Sequence, residues 1–470
     1  MKHPLLRMLT VLFAFGLIAA ACGSSDDDSS SSDDDSSSSD DDSSSSDDDS
    51  SSSDDDSSSS DDAMDFDGAE VTITGSERDD PSVAAINDAL NEHFSPMNLE
   101  VTFVGDADWE ANINTQVQGG NPPNISLFPQ PGKLADFARD GFIVPLDDSV
   151  IAAIDEYWAP GLSSVVNVDG VQYGVPAKSD LKGIVFYKPA RFEADGYEVP
   201  TTYDDFVALV EEMAGAGGSK PLCVGIESGT ATGWMFTDWV EDMMLRLHGG
   251  DVYDQWISNE VKFDDPRVVE AMQAVKDLWT EENVFAAGGT ISATNFGAPV
   301  AESLAADDCY MVRHSNFFAG LFPEGTVFAD GSDDAIDVFY FPDINGDGPV
   351  LSAGNFAAAF DNDPATMAVL EYMASADYAQ SRQAKQSAEL GGSLSGYLSA
   401  AQGQDPSVYQ PLEQQFLEIL SSADFVRFDG GDLMPADVGA GSFWSEGTSL
   451  TNGDITAQEA GENIQASWPE

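Results

Sequence analysis

The chain has 470 residues, and 84 acidic side chains against 18 lysines and arginines give it a formal charge of −66. Residues 24–62 hold only 22 Ser and 17 Asp, yet without them and the first 23 residues the body keeps 67 acids against 16 bases, a net −51. That surplus excludes a general nucleic-acid binder, which needs Lys and Arg along the phosphates, and attachment to an anionic membrane by surface charge. Three cysteines exclude a disulfide-dense scaffold, while 42% hydrophobic residues supply one large or two medium cores.

Lys2 and Arg7 flank the start of an uncharged run, MLTVLFAFGLIAAA, that ends at Ala21 before Cys22. A basic start, a short apolar stretch and small residues at the cut site predict an export signal over 1–21. The run is short for a membrane span, which needs about 20 residues. Ala-Ala-Ala-Cys at 19–22 looks like a lipobox with Ala19 where Leu is usual, so Cys22 is the expected lipid-attachment residue. The alternative is an ordinary signal peptide containing a Cys. Asp clusters then recur every seven residues without apolar a and d positions, so 22–65 reads as a disordered, self-repelling tether rather than a coiled coil.

The body alternates strand and helix patterns. AEVTITG predicts a strand to Gly75, 81–94 a helix with Val83, Ile86, Leu90 and Phe94 on one face, 99–104 a strand, and 109–118 a helix. ISLF (125–128) is a short apolar strand, followed by a helix over 133–141. Such short alternation predicts a largely parallel sheet covered by helices, with ligands beyond the carboxyl ends of the strands. That rule brings Gly75–Arg78, Gly105–Trp109 and Pro129–Gly132 to one rim. Further on come the strand IVFY (184–187), a helix capped by Thr202, a strand over 222–227, a helix over 235–248 stopped at Gly249, a helical pattern over 265–284 and a strand over 350–360. DINGDG (343–348) begins like a calcium loop but lacks the terminal Glu, so a turn is expected.

Four phrases stand out: GGNPPNISLFPQPGKLADFARDGFIVPLDD (119–148), YGVPAKSDLKGIVFYKPARFEADGYEVPTTYDDF (173–206), CVGIESGTATGWMFTDWVEDMMLR (223–246) and FDGGDLMPADVGAGSFWSEG (428–447). In this order they resemble the extracellular solute-binding proteins of carbohydrate ABC importers, in particular their α-glucoside-binding branch. The resemblance implies an α/β fold of two interwoven lobes, periplasmic-binding-protein-like, with a ligand cleft between them. It places the first lobe at 66–178 with a return at 350–390, and the second at 179–349 and 391–470. It also implies a neutral sugar ligand, delivery to membrane permease subunits, and an exported protein lipid-anchored to the outer face of the cytoplasmic membrane. No catalysis, cofactor, metal or nucleic acid is expected, and the protein is expected to be a monomer.

A sugar offers flat apolar faces ringed by hydroxyls, so its site needs aromatic plates and fixed polar groups. Trp234 follows a Gly/Thr loop and starts a helix on which Asp238 lies one turn later, a pairing suited to stacking and hydroxyl binding. Trp444 sits among glycines, and Trp109 follows a strand end; both are candidate plates. Glu77 and Arg78 lie at the first strand's mouth, Gln130 lies between two prolines, and Lys182 is at the expected lobe crossover. By resemblance, His314, Phe317 and Asn355 face the sugar. Asn124 and Asn355 stand where related chains often carry Asp, which exchanges a pure acceptor for a group that also donates. Export permits a disulfide, and Cys223 and Cys309 are the remaining pair. The competing readings are an exported glycoside hydrolase, needing two carboxyls across one bond, and a glycan-binding surface protein.

Overall fold

Alternation of buried and exposed residues builds the first sheet. In Ala69–Gly75 and Leu99–Gly105 the inward positions are Val71, Ile73, Leu99, Val101 and Phe103, and the two strands pair in parallel from Ala69 opposite Leu99 to Gly75 opposite Gly105. Ile125–Phe128 is buried throughout, because it lies between Ala69–Gly75 and the long strand Val350–Ala359. The helix Asp80–Phe94 packs Ile86, Leu90 and Phe94 on this sheet, and Asp79 caps it by accepting the Ser82 N–H. The computed structural model describes residues 64–346, 348–422 and 425–469. The signal, Cys22 and nearly all of the tether lie outside the described residues.

A second sheet, with its own core, has the order Asp337–Tyr340, Ile184–Tyr187, Cys309–His314, Lys220–Cys223, Val284–Phe285. The fold is therefore a bilobed α/β one of the periplasmic-binding-protein kind. Cys223 and Cys309 are joined as a disulfide between neighbouring parallel strands, with Cα atoms 5.5 Å apart. The strand expected over 222–227 is Lys220–Cys223. The helix expected to stop at Gly249 breaks there, at φ 77°, and continues to Ile257. Asp343 accepts the N–H groups of Ile344, Asn345 and Gly348, so DINGDG closes as a turn.

The chain passes between lobes at several places. Gly174–Leu181 pairs with Val350–Ala359 in the first sheet, and Ile184 already belongs to the second, so Lys182 and Gly183 make the whole crossing. Gly183 has φ 79°, and a Cβ there would stand 3.0 Å from an Asp242 carboxylate oxygen. The chain returns after Tyr340 and crosses again beyond the helix Ala376–Glu389, since Leu394, Leu398, Leu412 and Phe416 join the core around Val312. Val426–Phe428 then adds to the first sheet, parallel to Val350–Ser352. The last helices, Phe443–Asn452 and Ala457–Ala466, pack with Trp234–Ile257 and Pro266–Leu278. The segment 391–470, read from sequence as second lobe, thus carries one strand of the first sheet.

Candidate functional site

A cavity of about 380 Å³ lies between the lobes. Of the residues singled out from sequence, Glu77, Arg78, Gln130, Lys182, Trp234, Asp238, Phe317, Asn355 and Trp444 line it. Its positions follow from local backbone. A Cβ at Gly105 would lie 2.0 Å from the Glu77 carbonyl oxygen, so a glycine there lets the two strand mouths close up beside Glu77. Gly233 has φ 114°, and a Cβ on it would lie 2.2 Å from the Trp444 carbonyl oxygen. This close approach brings the start of one helix, with Trp234, against the residue Trp444 from the far end of the chain.

Two expected plates or contacts are corrected. Trp109 is not at the cleft: it is 1% exposed, its indole N–H donates to Ser126 Oγ at 2.9 Å, and it packs edge-on against Phe128. Satisfied inside the first lobe, it has no face left for a ligand. His314 does not line the cavity either. It is buried behind Trp234, stacked on Phe318 with ring centroids 4.3 Å apart, and its Nδ1 accepts the Ser315 N–H. Burial first, then the charges of Arg313 and Lys182, hold its imidazole well below the ordinary range and hence neutral. Asn124 is also remote. It accepts from the Thr72 N–H and hydroxyl and donates to Asp361, so both ends of its amide serve the fold.

The wall supplied by the second lobe is aromatic. Trp234 meets Phe296 edge-on at 4.9 Å and Phe317 at 6.1 Å between centroids, with Trp444 nearby in the lining. Phe296 was not foreseen; its segment, SATNFGAP, has no periodicity that sets it apart. The ammonium groups of Lys182 and Lys178 sit 5.6 Å and 4.9 Å from the Trp234 and Phe317 rings, at cation–π distance.

Behind these rings Lys182 is clamped by carboxylates. Its Nζ lies 2.7 Å from Asp238 and also bonds Asp429. Burial works against the ammonium, but Asp238 and Asp429 outweigh it and hold Lys182 charged. Glu241 accepts the Gly430 and Gly431 N–H groups at 3.2 and 3.0 Å. One cation cannot balance this many acids. Burial pushes Asp238 up to about 7 despite Lys182. Burial and then the charge of Asp429 raise Glu241 and Asp432 well above their usual range. Asp429, where Lys182 prevails over burial, is lowered. Oxygens of Asp238, Glu241 and Asp429 lie within 4.8 Å of one another, a spacing a metal could use, but Lys182 already supplies the cation there.

The first lobe's wall is closer to balance, because Lys178 and Arg382 meet Glu77 and Asp180, two cations for two acids. Glu77 is bonded by Arg382 at 2.6 Å and Asn355 at 3.2 Å, with Lys178 at 3.4 Å. Burial opposes its ionisation, but Arg382 and Lys178 outweigh that and hold the carboxyl down at about 2. Gln130 donates to Glu110 at 3.4 Å, while its amide oxygen finds no hydrogen-bond partner among the described residues. Burial raises the Glu110 carboxyl despite Lys133. The site as a whole offers rings, acceptors and firmly held charges, the equipment for gripping a polar, ring-shaped solute.

Known proteins agree with this geometry. The sequence profile of the bacterial extracellular solute-binding proteins matches residues 76–380. The osmoprotective compounds-binding protein of Synechocystis sp. is 34% identical over 417 residues, covering 86% of this chain and 94% of that protein. The alpha-glucosides-binding periplasmic protein of Rhizobium meliloti is 33% identical over 421 residues, 86% and 88% of the two chains. Among solved structures, the bacterial solute receptor AcbH superposes with a TM-score of 0.72 at 19% identity, over 85% of this chain and 98% of that one. A chitin oligosaccharide binding protein gives 0.70 at 16%, with the same coverage. At those identities the likeness is one of fold. The relatives are binding proteins rather than enzymes, and this chain belongs to the bacterial extracellular solute-binding proteins.

Proposed function

We propose that the protein is the sugar-capturing component of an ABC importer, taking a small neutral α-glucoside by closure of its two lobes and handing it to a membrane permease. The observation that carries this reading is the pairing of Trp234 with Asp238 and Lys182 in one cavity, a stacking face beside groups that accept and donate. Of the two relatives at 33–34% identity, one is named for alpha-glucosides and the other for osmoprotective compounds, and the first name supports an α-glucoside. A cavity of about 380 Å³ is near the lower end of the range for small-molecule sites, about 300–1,000 Å³, and supports a short saccharide over a long one. The body's net −51 supports a neutral rather than an anionic ligand. Because the cavity walls come from both lobes, a ligand bridging them favours the closed population. Anchoring through Cys22 and a monomeric state belong to the same proposal.

The test is calorimetric titration of residues 64–470 with methyl α-glucoside, maltose, trehalose and sucrose, together with product analysis. Saturable binding in the micromolar range without turnover is the expected result. Released monosaccharide would return the hydrolase reading. A protein that binds none of these but adheres to polymeric glycans would be a surface adhesin.

A further inference from the structure

One edge of the cavity is a seam between the lobes. Arg78 and Ala107 of the first lobe line it together with Ser228 and Phe296 of the second. Arg78, Ala107, Asp108 and Gly229 are exposed, which sets this edge at the cavity's mouth. The lobes touch there, since a Cβ on Gly229 would lie 2.9 Å from Asp108 Oδ1 and 3.4 Å from the Ala107 carbonyl oxygen. Arg78 reaches across the same seam. Its guanidinium carbon lies 6.0 Å from the centroid of the Phe296 ring, and among the described residues it makes no hydrogen bond and no ion pair within 4.0 Å. Phe296 is tied to Glu227, whose carbonyl oxygen accepts the Phe296 N–H at 3.2 Å. The Glu227 carboxylate is fixed beside it, accepting the Asn295 amide and the Gly229 N–H, each at 2.8 Å. Asn295 first, then the Gly229 N–H and the charge of Arg78, hold that carboxyl below its usual range. The body's net −51 makes the lobes repel one another, so a cation at their seam favours contact.

We infer that Arg78 is a positioning residue for ligand retention: its guanidinium spans the mouth from the first lobe to Phe296 and the fixed Glu227 carboxylate of the second, latching the lobes over the solute rather than bonding the solute. This role rests on the capture by lobe closure proposed above, whichever sugar is taken. Glu227 does not line the cavity, so it can act on the ligand only through the seam. An exposed cation–π contact and an exposed charge pair together correspond to about three- to tenfold in an equilibrium.

Stopped-flow tryptophan fluorescence separates association from dissociation for wild type, Arg78→Gln, Glu227→Gln and the double variant, with the tightest binder among maltose, trehalose and sucrose. Arg78→Gln should release the sugar about three- to tenfold faster, and Glu227→Gln at least twofold faster, with association within twofold of wild type. The double variant should release it no faster than Arg78→Gln alone, because either change removes the same pair. Faster release in Arg78→Gln with wild-type release in Glu227→Gln would make Arg78 a direct contact to the solute and overturn the latch. Additive losses, or wild-type release in Arg78→Gln, would also overturn it. Hydrogen exchange on the sugar-free protein reads the seam by itself. Amides of 106–109 and 228–231 should exchange at least twofold faster in Arg78→Gln, and unchanged exchange overturns the latch. Failure of wild type to bind any of these sugars would bring down the saccharide reading and leave the exchange rates to decide the latch.

Discussion

The two walls of the cleft are made from the same kinds of residue in different proportions. On the first lobe, Glu77 is held by Arg382 and Lys178, and Lys178 also pairs with Asp180, so two cations meet two acids. On the other side, Lys182 serves Asp238 and Asp429, with Glu241 and Asp432 close enough to feel their charge. The first arrangement is a permanently ionised clasp. The second cannot ionise fully, and it carries the aromatic rings. The difference teaches that one wall is built to stay fixed, while the other keeps protons in reserve beside the aromatic face of the cavity. The disulfide lies in the same lobe as the acid-rich wall, where it ties two neighbouring strands of the second sheet together.

The largest effect expected from breaking that asymmetry is loss of this tie. Replacing Cys223 and Cys309 by alanine opens a loop of sequence separation 86, and the chain-entropy relation gives a loss of roughly 4–5 kcal/mol, read by urea unfolding. An unchanged midpoint would show that the sheet needs no such help. Next comes Lys182→Met, which leaves Asp238 and Asp429 buried without their cation. Stripping one partner from a buried ion pair costs about 3–5 kcal/mol, and the lower figure applies because Asp238 can take up a proton. Lys178→Met should cost less, about 1–3 kcal/mol, since Arg382 still holds Glu77 and only Asp180, 3.4 Å from Lys178, loses its cation. A loss for Lys178→Met larger than that for Lys182→Met would erase the distinction between the walls.

Trp234→Ala tests what the aromatic wall does for the ligand. The ring is half-buried and meets Phe296 and Phe317 only by its edges and flanks. Its removal should weaken sugar binding about a hundredfold, or ~2.7 kcal/mol, while the thermal midpoint moves by only a few degrees. Wild-type affinity in this variant would mean that Trp234 is packing rather than plate.

Trp234 and Asp238 were legible because their neighbours in sequence announce them: a Gly/Thr loop, a helix start and a carboxylate one turn on. The short strands were legible for the same reason, their alternation being local. Trp109 carried an equally good local signature, a strand mouth followed by a helix, and was misread. What decides its role is Ser126, 17 residues away, which takes its N–H. His314 fails likewise, since Phe318 and Trp234 enclose it from two elements. The first-lobe clasp was half visible. Glu77 could be named, but Arg382 is 305 positions distant and reaches it only after the chain has crossed to the second lobe and returned. Asp429 and Asp432 stood in a phrase read for its tryptophan, and nothing local says that Lys182 will meet one of them.

The finest test of the comparison is the pH dependence of stability, because the walls should contribute slopes of opposite sign. Glu77 has its carboxyl held at about 2 in the folded protein against an ordinary 4.5. Between those values the unfolded chain binds the proton more readily, so the stability Glu77 contributes is complete above about 4.5 and is lost as pH falls towards 2. Asp238 is raised from 3.8 to about 7, so the folded protein is the better proton binder in that interval. Its contribution is complete below about 3.8 and is lost as pH rises through 7, with a slope of at most about 1.4 kcal/mol per pH unit for one group. Unfolding measured across this range should give a maximum near pH 4, with Glu77→Gln flattening the acid limb and Asp238→Asn flattening the limb towards 7. The slopes are the readout rather than the absolute values, since each variant also changes a hydrogen bond. Lys182, Asp429, Arg313 and Glu241 all bear on Asp238, so a limb that survives Asp238→Asn would place the titrating proton on Glu241 or Asp432, or on the raised Glu110 of the first lobe, and Glu110→Gln tells these apart. A limb of the same sign on both sides of pH 4 would mean that the two walls do not differ in the way their charges require.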